Sequence, residues 1–387
     1  MGSQVSTARS PAVDKPQVLT EKVPLPEDAS LQAHPMESPF DSLSIRELDK
    51  WSEDFDKNPT FALSRLVLSK ADPVLSLSSR AALIHDAKIF NLRLKGTGAN
   101  GEYPGPRVNQ ASSGRCWLFA TTNVLRYSVI EQLKLGEFEL SQNYLFFYDK
   151  LEKANYYLEK SKAQFMSEIF STLSIALGSP PKPDQKLTWE YYDRDDKFHS
   201  WTGTPREFYA QFGKRKGMDP KDSFSIINDP RNEYGKLYSV ERLGNVWKGK
   251  AVRSNTPLFF GCDVGKASNT PEGVMDCQVY DLKAAYGFEL GMNKAQRLET
   301  GESSMTHAMV ITAVHLDESG RPLRYKVENS WSESAGEKGW FMMTADWFKE
   351  YVFQVVVPQS IVDRKWSNVL QQEPVMLKPW DPMVSFL

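Results

Sequence analysis

Cysteine and histidine are scarce in this 387-residue chain, which has three of the first and five of the second. Three cysteines cannot build a disulfide framework. They fit a reducing compartment, where a lone cysteine is catalytic, buried or incidental. His34, His85, His199, His307 and His315 offer no paired spacing for zinc, so no metal and no cofactor is implied. No apolar run approaches the ~18 residues of a transmembrane helix. Excess charge of one sign is also missing. The 47 Lys and Arg stand against 49 Asp and Glu, a net charge of −2, which excludes a global basic field for nucleic acid or anionic membrane. Nucleic acid is thus disfavoured as a partner, and the short run Lys214-Arg215-Lys216 reads as a solvated loop.

What is present is a globular composition, 41% hydrophobic and 12% aromatic, long enough for one large domain or two ordinary ones. Residues 1–40 depart from it. They hold six prolines and few large apolar residues and read as a disordered arm. Met1-Gly2-Ser3-Gln4-Val5-Ser6 fits the N-myristoylation pattern, so a membrane partner is expected only if Gly2 is acylated. Residues 1–13, with one Arg and no acid, carry a faint trace of a mitochondrial presequence that Asp14 ends.

Helices come first along the chain. Ser44-Ile45-Arg46-Glu47 predicts a capped helix with Leu48 and Trp51 on its apolar face. A second is expected over Ser78 to Lys88. Residues 95–115 are a Gly-, Asn-, Pro- and Ser-rich loop. After it, Leu118, Thr122, Leu125, Val129 and Leu133 recur on one helical face, with Gly136 as the stop. Ser141 caps a further helix, Tyr144 to Lys160, expected to pack against the preceding one. Strands follow: Leu187 to Tyr192, Phe224 to Ile227, Pro257 to Cys262, Met309 to Leu316, Arg324 to Asn329, Gly339 to Met343 and Gln354 to Val357. This order predicts an α+β protein with a helical lobe and a β lobe.

Cys116 stands where the loop of small residues becomes a helix. A helix N-terminus carries partial positive charge and unpaired N–H groups, so the thiol pKa is expected to fall. A thiolate nucleophile needs a proton acceptor and an orienter for it. His307 enters a strongly apolar strand. Asn329 ends another, and its amide oxygen can accept from an imidazole N–H. Trp331 is placed to shield that bond. Gln110, six residues before the cysteine, can donate to a developing oxyanion beside the Cys116 backbone N–H. Cys262 and Cys277 read as structural, and His315 as an ordinary strand histidine.

Gln110-Ala-Ser-Ser-Gly-Arg-Cys116-Trp-Leu-Phe-Ala120 resembles the nucleophile loop of papain-like cysteine peptidases. The chain is most similar to the bleomycin hydrolase family among them. The segments carrying this are Leu140 to Ala154, Phe224 to Leu237, Met305 to Ile311, Tyr325 to Trp331 and Pro379 to Met383. The resemblance implies a two-lobed papain-like fold with a β-barrel-like second lobe. It implies a cysteine aminopeptidase acting on peptide or aminoacyl substrates with a free N-terminus, bleomycin and homocysteine thiolactone among them. In it Cys116 is the nucleophile, His307 the base and acid, Asn329 the orienter and Gln110 the oxyanion donor. It also implies a homohexamer, a cytoplasmic location with a possible mitochondrial pool, and a C-terminus lying in the cleft.

On that reading residues 1–40 are the arm, 41–358 the catalytic domain and 359–387 a tail docking toward the active-site cleft. Two departures are expected to matter. Ser332 follows Trp331 where many relatives have Gly. Two internal segments are missing, one after Lys160, where a wall of the substrate cleft is expected, and one between Arg253 and Pro257. The second reading is therefore a truncated, non-catalytic subunit that only assembles or binds.

Overall fold

The computed structural model describes residues 44–84, 88–96, 108–157, 162–213, 223–240, 244–246, 257–377 and 381. The arm, Gly2, His34, His85, Lys214–Lys216, the junction after Lys160 and the segment between Arg253 and Pro257 lie outside them. The chain divides into two units, Met1–Lys57 and Asn58–Leu387. In the first, α1 (Ile45–Lys57) begins with the expected capping box. Ser44 Oγ accepts from the Glu47 N–H at 3.2 Å, and Glu47 accepts from the Ser44 N–H at 3.2 Å.

The second unit opens with α2 (Pro59–Leu68) and α3 (Pro73–Leu77), each with proline in its first turn behind an Asn58 or Asp72 cap. Among the described residues, the helix expected over Ser78 to Lys88 is not there. Ser78 ends α3 and bridges to Tyr280, and the Ser79 N–H donates to the Val279 carbonyl at 2.8 Å. The local pattern reads as helix, but the backbone is claimed by a distant segment of the chain.

Three longer helices follow, α4 (Cys116–Leu133), α5 (Asn143–Tyr157) and α6 (Lys162–Leu177), then α7 (Pro205–Phe212), α8 (Leu282–Tyr286), α9 (Lys294–Glu299) and α10 (Ala345–Tyr351). α4 is buried nearly all round and not along one stripe, so polar Thr122, Asn123, Arg126 and Ser128 are as enclosed as Leu118 and Ile130. Its stop is Lys134, at φ 51°, ahead of the expected Gly136. α5 touches the start of α4 through cations on rings, Arg115 over Phe146 at 4.8 Å and Lys153 over Trp117 at 5.6 Å. Its main partner is α6, with Phe147 edge-on to Phe170 at 5.4 Å.

The strands are β1 (Leu92–Arg93), β2 (Leu187–Tyr192), β3 (Phe198–Gly203), β4 (Ser223–Ile227), β5 (Tyr238–Val240), β6 (Gly244–Val246) and β7 (Leu258–Cys262). Beyond them come β8 (Ser268–Asn269), β9 (Val274–Met275), β10 (His307–Leu316), β11 (Pro322–Glu328), β12 (Trp340–Thr344), β13 (Val352–Pro358) and β14 (Val375–Leu377). One curled sheet runs β14-β5-β6-β4-β13-β7-β10-β11-β12-β9-β8, with β1 also on β10. β2 and β3 form a separate hairpin whose Trp189, Tyr191 and Trp201 pack with Phe138, Phe208 and Phe212 beside Val129 and Ile130 of α4.

The sheet's inner face is the main core, Phe260, Cys262, Met309, Ile311, Val327, Met343 and Val357 among others, with Trp347 of α10 packed into it. Ala308 and Val310, on the opposite face of β10, receive Cys116 and Ala120 of α4. The architecture is the expected α+β one, helices first and a half-barrel sheet after. Among the described residues no helix is long and apolar enough to cross a membrane.

Candidate active site

Cys116 is the first residue of α4 and is buried, at 5% exposure. The nearby backbone N–H groups, that of Ala308 foremost, favour the thiolate. Burial outweighs them and pushes the thiol up from its ordinary value, against the fall expected from the helix end alone. Sequence showed the helix N-terminus; it did not show how little water reaches the sulfur.

His307 begins β10 and is 3% exposed. Its Nε2 is 2.8 Å from Asn329 Oδ1, at the end of β11. With Nε2–H donating to that oxygen, Nδ1 is the ring's free acceptor when the imidazole is neutral. Burial lowers His307 to about 4, partly offset by the bond to Asn329. Trp331 lies over the imidazole, with ring centroids 4.7 Å apart and 29° between planes. It covers the His–Asn bond as the sequence reading anticipates. Asn329 Oδ1 also accepts from the Ser330 N–H at 2.7 Å.

Gln110 is buried, at 8% exposure, and joined twice to Ser330. Its N–H donates to the Ser330 carbonyl at 2.8 Å, and its Oε1 accepts from Ser330 Oγ at 2.7 Å. Holding the amide oxygen this way turns Nε2 away from Ser330. Ser330 was missed in the sequence reading, although it lies in the Asn-Ser-Trp motif. The nucleophile loop and that motif are further stitched by the Asn109–Trp331 bridge and by Ser332 N–H to the Val108 carbonyl at 3.2 Å. The structure thus brings Gln110, His307 and Asn329 around one set of strand ends, with Ala308 linking them to the Cys116 sulfur.

A sequence model of the Peptidase C1-like family matches residues 42–161 and 158–384. The chain belongs to this family. Cysteine proteinase 1, mitochondrial, of Saccharomyces cerevisiae is 33% identical over 459 aligned positions, covering 88% of this chain and 92% of that protein. Aminopeptidase C of Lactococcus lactis subsp. cremoris is 29% identical, covering 86% and 97%. Bleomycin hydrolase of Rattus norvegicus is 31% identical, covering 81% and 95%. The crystal structure of PepW from Lactobacillus rhamnosis superposes with a TM-score of 0.77 at 26% identity, over 88% of this chain and 98% of that one. These place the protein among the papain-like cysteine aminopeptidases.

The same comparison shows where this family member is short. With the yeast relative, 88% of 387 residues, roughly 340, are spread over 459 positions, so on the order of a hundred positions of the relative have no counterpart. The two family matches meet at residues 158–161, where the sequence reading puts the first missing segment.

Ser332 adopts φ 64°, the conformation for which glycine is suited. Its hydroxyl is 2.7 Å from Ser334 Oγ and does not remove the steric cost at its own Cβ. Ser332→Gly is expected to stabilise the fold by about 1 kcal/mol, net of glycine's greater freedom in the unfolded chain. A urea midpoint moved upward, with an unchanged slope, is the expected observation.

Among the remaining candidates, Cys262 is fully buried in β7 and Cys277 is exposed. His315 lies in β10, and His199 Nε2 is 2.9 Å from Asp193 Oδ2, in the hairpin. None joins the Cys116 cluster as a proton carrier. No group of His, Cys, Asp or Glu among the described residues is arranged to hold a metal ion.

Proposed function

We propose that the protein is a cysteine aminopeptidase in which Cys116 is the nucleophile, His307 the base and acid, Asn329 its orienter and Gln110 an oxyanion donor. The observation carrying this is the shielded His307–Asn329 bond. It fixes the imidazole with Nδ1 as proton acceptor, on the residue next to Ala308, which packs with Cys116. Burial resists a lone charge on either group, so thiolate and imidazolium form together, each neutralising the other.

Sγ attacks the scissile carbonyl carbon, and the oxygen gathers charge facing the Cys116 N–H and Gln110 Nε2. His307 passes its proton to the leaving amine, giving a thioester. Water then attacks that thioester with His307 as base, releasing the acid and the thiol. The names of the aminopeptidase C and bleomycin hydrolase relatives support substrates with a free N-terminus, bleomycin among them; homocysteine thiolactone is proposed as a further substrate on the family resemblance alone. In this reading the catalytic domain spans 41–358, and residues 359–387 form a tail docking toward the active-site cleft. β14 lying on β5 and Asp381 Oδ1 accepting from Arg231 Nη2 at 3.2 Å support a fixed tail. A homohexamer, in the cytoplasm and in mitochondria, completes the proposal; the yeast relative's name supports the second location.

The roughly hundred missing positions favour one other reading, a subunit that assembles without turning over substrate. An aminoacyl arylamide and its N-acetylated form separate the two. Release from the free amine at least ~100-fold faster than from the blocked one is expected of the aminopeptidase. No release from either, on folded protein, overturns it in favour of the assembly subunit.

A further inference from the structure

The middle of α4 carries a buried ion pair that the chemistry above does not use. Arg126 and Tyr127 stand ten and eleven residues beyond Cys116, about 15 Å up the helix. Glu328 immediately precedes Asn329. All three are almost completely enclosed, at 3%, 2% and 1% exposure. Arg126 Nη2 donates to Glu328 Oε1, and Tyr127 Oη donates to Glu328 Oε2 at 2.8 Å. Burial, and then the Glu328 carboxylate, push the Tyr127 phenol up, which keeps it a donor. Neighbouring helix residues therefore hold the two oxygens of one carboxylate.

The position of Glu328 gives this cluster its meaning. It pairs across the sheet with Val310, whose side chain meets α4 in the group that contains Cys116, Ala120 and Ala308. Those contacts between α4 and the sheet are small and apolar. Apolar contact is non-directional and tolerates sliding or rotation of a helix. A carboxylate gripped from residues about 100° apart on the helix tolerates neither. One end of the rigid helix carries the sulfur, and the strand residue after the carboxylate carries Asn329.

We propose that Arg126, Tyr127 and Glu328 are positioning residues, a clamp that sets the rotation and height of α4 against β11 so that the Cys116 thiol and the Asn329-held imidazole meet. The inference rests on the thiol-peptidase reading above. The clamp acts through the helix and the strand and touches no substrate. Its loss lowers the rate of the chemical step and leaves substrate affinity nearly unchanged.

The test follows Cys116 alkylation by iodoacetamide in the full-length protein from about pH 5 to about pH 10, with folding followed by circular dichroism. In the wild type, reactivity persisting near pH 6 reports passage of the thiol proton to the neutral imidazole as the sulfur attacks, and reactivity near pH 10 reports the free thiolate. Glu328→Gln, and the double variant Arg126→Met/Glu328→Gln, which removes both charges of the pair, are compared with it. The expected result is an about tenfold or greater loss near pH 6 with rates near pH 10 within about twofold, and a matching fall in kcat at constant KM. A structural role alone lowers the folded fraction and leaves the shape of the pH profile as it was. Tyr127→Phe, which deletes one hydroxyl and no charge, repeats the test if the charge variants do not fold. Folded variants that keep the wild-type rate near pH 6 overturn the clamp. A wild type with no reactivity near pH 6 overturns instead the thiol-peptidase reading on which it rests.

Discussion

Replacing Cys116 with alanine is expected to remove hydrolysis by at least about ten-thousand-fold, because every bond made to the substrate carbon starts at that sulfur. Little else should change. The side chain loses one atom in a pocket formed with Ala120, Ala308 and Val310, so the stability cost stays near 1 kcal/mol. The clean readout is intact mass after treatment with a thiol-directed epoxide. Three cysteines are available, yet one adduct is expected. Cys262 is enclosed and its thiol is pushed well above the ordinary range, first by burial. Cys277 is exposed, but burial of its sulfur, then Asp276, holds the thiol up at about 11, so few thiolates form at neutral pH. Cys116 is raised as well; what sets it apart is a neutral imidazole able to take its proton. One adduct that vanishes in Cys116→Ala supports the assignment. An adduct that persists in the variant places the reactive thiol elsewhere and sinks it.

Acid should weaken the fold through His307. Its ordinary pKa of 6.5 is lowered to about 4 by burial. Between those values the unfolded chain binds a proton that the folded one refuses, so stability is complete above about pH 6.5 and falls as pH drops toward 4. The loss amounts to about 3 kcal/mol. The carboxylates with the lowest values do not obscure it. Asp193 and Asp317 are held down to about 2, the first chiefly by His199 and the second by Ser319, so their contributions fade only below about pH 4. Urea unfolding at about pH 7 and about pH 4.5 should show the difference, and His307→Gln should flatten it. A wild-type profile already flat over this range would mean that His307 is charged at neutral pH, paired with the Cys116 thiolate.

Much of this protein could be read before its structure. Apolar runs with clear edges located β7, β10, β12 and β13 to within a few residues, because buried strands are written in near-continuous hydrophobic residues, while β11, with Arg324, Lys326 and Glu328, is marked by its flanking turns. Cys116, His307 and Asn329 stood out as candidates because each lies where an element begins or ends, and Gln110 because it precedes Cys116 by six residues in the loop. The misses have separate causes. β3 reads Phe-His-Ser-Trp-Thr-Gly, and its half-exposed alternation is weaker than that of a core strand. The local pattern predicts a helix over Ser78 to Lys88, but a bridge to Tyr280, two hundred residues away, decides the Ser78 backbone. The Cys116 thiol was expected to be acidic from its helix end. Its burial depends on Ala308 and Val310, which no local window contains. Arg126 and Glu328 were overlooked for the same reason: a charge in an apolar stretch gains its meaning only from a partner far along the chain.

β13 lies at the centre of the sheet between β4 and β7, yet follows them in sequence by well over a hundred and by about ninety residues. The core of the sheet therefore closes only after the chain has travelled through nearly all its other elements. Pairings so remote carry a large loop-closure cost before they return any stability, so folding should be slow. Until β13 is inserted, β4 and β7 both present unpaired apolar edges to solvent. Any chain stalled or cut ahead of Val352 would hold two open templates for joining strands from other molecules. Yield during expression is thus tied to how quickly one late, seven-residue strand finds its slot.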